Sequence, residues 1–125
     1  MDEAIKLQPD NDATYYLRGN IHAIIGNHQQ AIKDFSKAIQ LKPTDADYFN
    51  NQGSIYSKLG QYQQAIRDFD KAILFNSNIA AYYNNRAVVH LRHDDKKIGC
   101  LDAQRACVLK NCELLEWTKK EGYCH

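Results

Sequence analysis

The chain has 125 residues, 44% hydrophobic and 25% charged, which is enough apolar content for one compact core at an ordinary charge load. The 16 Lys and Arg against 15 Asp and Glu leave a formal charge of +1. That balance supplies no basic stripe for a nucleic-acid backbone. No run of about 18 apolar residues is present to cross a bilayer. Neither nucleic acid nor membrane is therefore expected as a partner.

Taken in chain order, the elements repeat. Met1 to Pro9 carries Ala4, Ile5, Leu7 and Pro9, the pattern of Ala38, Ile39, Leu41 and Pro43 one repeat later. Residues 1–11 therefore read as the tail helix of a preceding repeat, as if the chain were taken from a longer array. Residues 12–45 form the first unit. A helix is predicted from Asp12 to Ile25, broken at Gly26 and Asn27, and a second from His28 to Leu41. Pro43 enforces the exit, because it cannot continue a helix interior. Residues 46–79 repeat the scheme: Ala46 to Leu59, Gly60 as a left-handed stop, Gln61 to Phe75, then a polar turn at Asn76, Ser77 and Asn78. Apolar positions in the second helices step by three or four, the spacing of one helical face.

Residues 80–111 are an atypical third unit, with helices from Ala80 to Arg92 and Lys96 to Leu109 around a turn at Asp94 and Asp95. Ala87 stands where the others have Gly19 and Gly53, Gly99 where they have Ala31 and Ala65, and Ala103 where they have Phe35 and Phe69. Residues 112–125 read as a capping helix and tail, the helix spanning Cys112 to Gly122 with Leu114, Leu115 and Trp117 turned inward. The small residues mark close helix approaches and the aromatics fill the space beside them.

The combination of an aromatic, Gly four residues on, then Ala-Ile, Phe, Ala and Pro, recurring at a pitch of about 34 residues, resembles the tetratricopeptide repeat. The resemblance covers roughly residues 12–111 as three units. It implies an all-α fold, an α-α superhelix (a solenoid) of three helix pairs plus a C-terminal capping helix. It also implies a protein–protein interaction scaffold in which the first helix of each pair lines a concave groove. Mapped by that resemblance, the peptide-binding wall holds Tyr16, Asn20, Asn50, Asn51, Ser54, Asn84, Asn85 and Val88. Asn50-Asn51 and Asn84-Asn85 stand one repeat apart, and an Asn side chain can match the backbone amides of an extended peptide of any sequence. In this respect the wall resembles asparagine-lined repeats of O-linked sugar transferases and nuclear import receptors.

The family's carboxylate clamp needs several cations on this wall. Asn20 and Asn51 match its neutral members, but Tyr16, Ala81 and Asn85 stand where its basic residues would be, so a clamp is not expected. The alternative function is structural: self-association of the chain by stacking through the N-terminal repeat face.

Chemistry has little to stand on. The cysteines, at 100, 107, 112 and 124, include no Cys-x-x-Cys pair, so no structural zinc site is expected. Cys100 and Cys107 are seven apart on one helix and read as buried free thiols. Cys112 and Cys124 bracket the capping helix and could meet another thiol only if the chain folds back. His22 and His90 share a register with Tyr56, which favours packing over catalysis. No nucleophile elbow, phosphate loop or His-Glu zinc motif appears. The chain is read as a non-enzyme with no cofactor and no metal.

Overall fold

The computed structural model describes residues 10–93 and 95–125. The tail helix expected over Met1 to Pro9, and the Asp94 part of the third turn, lie outside the described residues. Within them the fold is seven helices and no strand: α1 (Asp12–Ile24), α2 (His28–Leu41), α3 (Ala46–Lys58), α4 (Tyr62–Phe75), α5 (Ala80–Arg92), α6 (Lys96–Val108) and α7 (Glu113–Lys120). Each helix packs on its chain neighbours, and the first helices α1, α3 and α5 also touch one another in sequence. The result is an all-α superhelix of helix pairs in two layers.

Local chemistry sets the ends. Asn11 Oδ1 accepts the Thr14 amide at 3.3 Å and Asp45 Oδ1 accepts that of Asp47 at 3.0 Å, relieving amides that a helix start leaves unpaired. Gly26 and Gly60 take φ of 85° and 75° between paired helices, a left-handed conformation open to glycine at little cost.

The packing reading holds. A Cβ on Gly19 would lie 2.7 Å from the Phe35 ring, and one on Gly53 would lie 2.9 Å from the Phe69 ring. Ala31, Ala38, Ala65 and Ala72 are wholly buried. In the third pair the exchange of sizes is compensated. Leu91 occupies the space over Gly99, and Leu115 and Cys124 pack on Ala87 and Ala103, where the other pairs hold a phenylalanine.

Three expectations at the C-terminal end are corrected. Among the described residues no cysteine is a free thiol: Cys100 is bonded to Cys124, with Cα atoms 5.7 Å apart, and Cys107 to Cys112. The helical spacing of Cys100 and Cys107 is real, and both pack on the apolar cluster of Ala87, Ala103 and Leu115, but each is closed into a disulfide by the segment that follows α6. α7 is shorter than the span Cys112 to Gly122, since Gly122 turns with φ 83°. Trp117 does not point inward: it is 51% exposed, while Leu115 and Thr118 take the buried face. Its register partners Phe49 and Tyr83 have a second helix of their own pair beside them, whereas Trp117 stacks on Tyr123, with ring centroids 5.5 Å apart.

One buried polar element follows the repeat and then departs from it. Arg18 grips Asp34 through Nε and Nη2 at 2.8 and 2.7 Å. Arg86 grips Asp102 in the same way at 2.8 and 2.7 Å, and also reaches Asp70 at 2.9 Å. Those bonds to Asp102 hold the Arg86 guanidinium above its ordinary pKa despite its burial. In the middle pair the equivalent residues are Gln52 and Asp68. Gln52 turns instead to Ser36 Oγ at 2.7 Å and the Ile32 carbonyl at 3.3 Å.

Candidate functional site

Every residue assigned to the wall lies on α1, α3 or α5 and is half-buried. Helical spacing explains this: residues three and four apart share a face, so Tyr16 and Asn20 align on α1, Asn50, Asn51 and Ser54 on α3, and Asn84, Asn85 and Val88 on α5.

Five of the eight are joined in one hydrogen-bond chain across three helices. Asn85 Nδ2 donates to Asn50 Oδ1 at 2.9 Å. Asn50 Nδ2 lies 3.4 Å from Asn51 Oδ1. Asn51 Nδ2 donates to Asn20 Oδ1 at 2.9 Å and to Tyr16 Oη at 2.8 Å. The step from Asn51 to Tyr16 and that from Asn85 to Asn50 are the same step one repeat on, so the chain follows the repeat geometry. Ser54, Asn84 and Val88 stand outside it. Asn84 Oδ1 is buried and has no hydrogen-bond partner among the described residues.

The chain is held from behind by aromatic packing. The Tyr16 ring lies 4.6 Å from Tyr48 and 5.8 Å from Phe35. Burial raises the Tyr16 phenol above its usual pKa, the hydrogen bond to Asn20 opposes this, and Asp47 and Asp45 add to it. Tyr48 donates to Asp12 and Tyr82 to Asp47, each tying one first helix to the previous one. Burial and these carboxylates push both phenols upward. All three tyrosines therefore stay neutral near pH 7, and the wall carries amides and hydroxyls. An amide oxygen has two lone pairs, so the internal chain orients these groups while leaving acceptor capacity on Asn20, Asn50 and Asn51.

The sequence reading missed the partners within this chain, because all its bonds but that between Asn50 and Asn51 span two repeats. It also missed the Arg18, Gln52, Arg86 series, although aligning the repeats displays it beside the constant Asp34, Asp68 and Asp102. His22 and His90 are half-buried in the pairs, and His22 Nε2 lies 3.8 Å from Asp34.

The family model for the tetratricopeptide repeat matches residues 13–45 and 46–79, over half of the chain. No curated protein is similar in sequence at a significant level. Solved structures are similar in fold. The Arabidopsis OM64 TPR domain superposes with a TM-score of 0.83 at 23% identity, over 88% of this chain and 92% of that one. The first TPR of Spaghetti (RPAP3), bound to the HSP90 peptide SRMEEVD, gives 0.83 at 21% identity, over 87% and 88%. MamA gives 0.83 at 23%, over 87% of this chain and 64% of that one.

Proposed function

We propose that this chain, which belongs to the tetratricopeptide repeat family, is a non-catalytic protein–protein interaction scaffold that holds an extended peptide segment of a partner along its layer of first helices. The observation that carries the reading is the hydrogen-bonded row from Tyr16 through Asn51 and Asn50 to Asn85. Amides fixed in a row can meet the N–H and C=O groups of a strand-like peptide, so affinity comes from its main chain, and pre-orientation lowers the ordering cost of binding. A neighbour in fold binds SRMEEVD, but here Tyr16 and Asn85 occupy clamp positions and are engaged with Asn51 and Asn50. A carboxylate-rich tail would meet amides there rather than cations, so its terminal carboxylates should gain little at those positions.

The test is selection from a random dodecapeptide library displayed on phage, followed by calorimetry on the synthetic binders. Asn51→Ala with Asn85→Ala should weaken binding about tenfold or more at unchanged helicity. Equal affinity for that variant would remove the row from the site.

A second reading, self-association, has its own observation. Ile21 is 45% exposed, whereas its register mates Ile55 and Val89 are 3% and 1% exposed, each packed on the second helix of the preceding pair. Ile24 and Ile25 are exposed beside it. A second copy stacked on this face would bury them. Ile21→Glu should then abolish any dimer seen by light scattering across a dilution series; a monomer at every concentration would dismiss the idea.

A further inference from the structure

The row of amides ends at a place of different character. Val88 and Leu91 continue the inner face of α5 beyond Asn84, but the residues at their registers are Asn20 and Ser54, and Ala23 and Ser57. Large apolar residues thus stand at both of these registers only in the third pair. Leu91 packs over Gly99, so its size has a structural use. Val88 has no such duty, since the same place in the other pairs accepts Asn and Ser. Together with Arg92, Leu114, Trp117 and Tyr123 these two residues line a cleft of about 560 Å³ between α5 and the C-terminal segment. That volume falls within the roughly 300–1,000 Å³ of ligand clefts.

Its far wall is pre-formed. Trp117 and Tyr123 are stacked with 17° between ring planes and both remain exposed. The Cys100–Cys124 bond ties the backbone next to Tyr123 to α6. Among the described residues, Arg92 is the one charged residue in the lining. Asn84 lies four residues before Val88 on the same face of α5, about 6 Å along the axis.

We propose that this cleft is a side-chain subsite of the groove, taking one large apolar residue of the bound segment (leucine, isoleucine, methionine or phenylalanine) with an acidic residue beside it that meets Arg92. The inference rests on the groove reading above and names the partner's chemistry. Apolar burial against Val88, Leu91 and the two rings supplies selectivity for size, and the guanidinium on the rim supplies selectivity for charge.

The test uses the same displayed dodecapeptide library. Binders of the wild-type chain should share a large apolar residue next to Asp or Glu, and the synthetic peptides should shift the fluorescence of Trp117, the chain's single tryptophan. Val88→Ser, which installs the residue that the same register carries in the middle pair, should lower their affinity about tenfold. Arg92→Glu, an exposed substitution, should turn selection toward Lys or Arg beside the apolar residue. Binders that weaken with the double Asn variant but not with Val88→Ser, and select the same charges on Arg92→Glu, would overturn the subsite and leave the groove. Binders that respond to Val88→Ser but not to the Asn variant would uphold the cleft and sink the groove. A library yielding no binder at all would overturn both.

Discussion

In the first and third helix pairs a guanidinium, Arg18 or Arg86, lies in two hydrogen bonds against the carboxylate of Asp34 or Asp102. In the middle pair Gln52 takes that place and reaches back across the repeat boundary to Ser36 and the Ile32 carbonyl. Arg86 crosses its own boundary to Asp70, so Gln52–Ser36 is the neutral counterpart of Arg86–Asp70. The exchange satisfies the boundary but strands Asp68. Its Oδ2 is buried without a hydrogen-bond partner among the described residues, and burial pushes its carboxyl up to about 7. One substitution in a repeat thus alters two contacts, and its cost falls on the residue that did not change.

The largest effect is expected from Arg86→Ala, which leaves Asp102 buried and uncompensated. Urea unfolding should show a loss of about 3 kcal/mol, at the lower end for a buried pair broken on one side. Arg18→Ala should cost less, because His22 remains 3.8 Å from Asp34. A smaller loss for Arg86→Ala than for Gln52→Ala would mean that the ion pairs are not what distinguishes the outer repeats.

Transferring the charged boundary comes next. Gln52→Arg with Ser36→Asp should pair Asp68 and stabilise the chain by about 1–2 kcal/mol at pH 8. No gain would show that Asp68 is adequately solvated as it stands.

The pH dependence follows from the direction of the Asp68 shift. Its ordinary value is 3.8 and burial raises it to about 7. Over that interval the folded chain binds a proton that the unfolded chain has released, so stability should fall as pH rises from about 4 to about 7 and this contribution should level off above. Melting curves at stepped pH should show Asp68→Asn flattening that slope, whereas an unchanged slope would assign it to other groups. The smallest effect is expected for Gln52→Ala, about 1 kcal/mol for its hydrogen bonds.

The fold was legible because its determinants recur. Gly19 against Phe35 and Gly53 against Phe69 are local size exchanges that helical spacing and one shift of the chain reveal. The wall residues were legible as positions on the first helices, but their pairing was not. Asn85 finds Asn50 and Asn51 finds Tyr16 only through the offset of successive first helices, which no single-helix pattern encodes. The C-terminal end was misread for a related reason. Spacing along α6 says that Cys100 and Cys107 share a face, but what covers that face depends on how the tail returns. The same return decides that Trp117 stacks on Tyr123 and stays half exposed instead of meeting a second helix. The Asp68 exchange, by contrast, is displayed by the aligned repeats as a constant Asp opposite Arg, Gln and Arg, but was not read from them.

Nuclear magnetic resonance of the asparagine side-chain amides, during titration with a peptide selected by the chain, reports on the row itself. The NH₂ signals of Asn20, Asn50, Asn51, Asn84 and Asn85 are expected to move together and saturate with the peptide. Movement confined to amides of the second helices α2, α4 and α6, with those five side chains still, would contradict it.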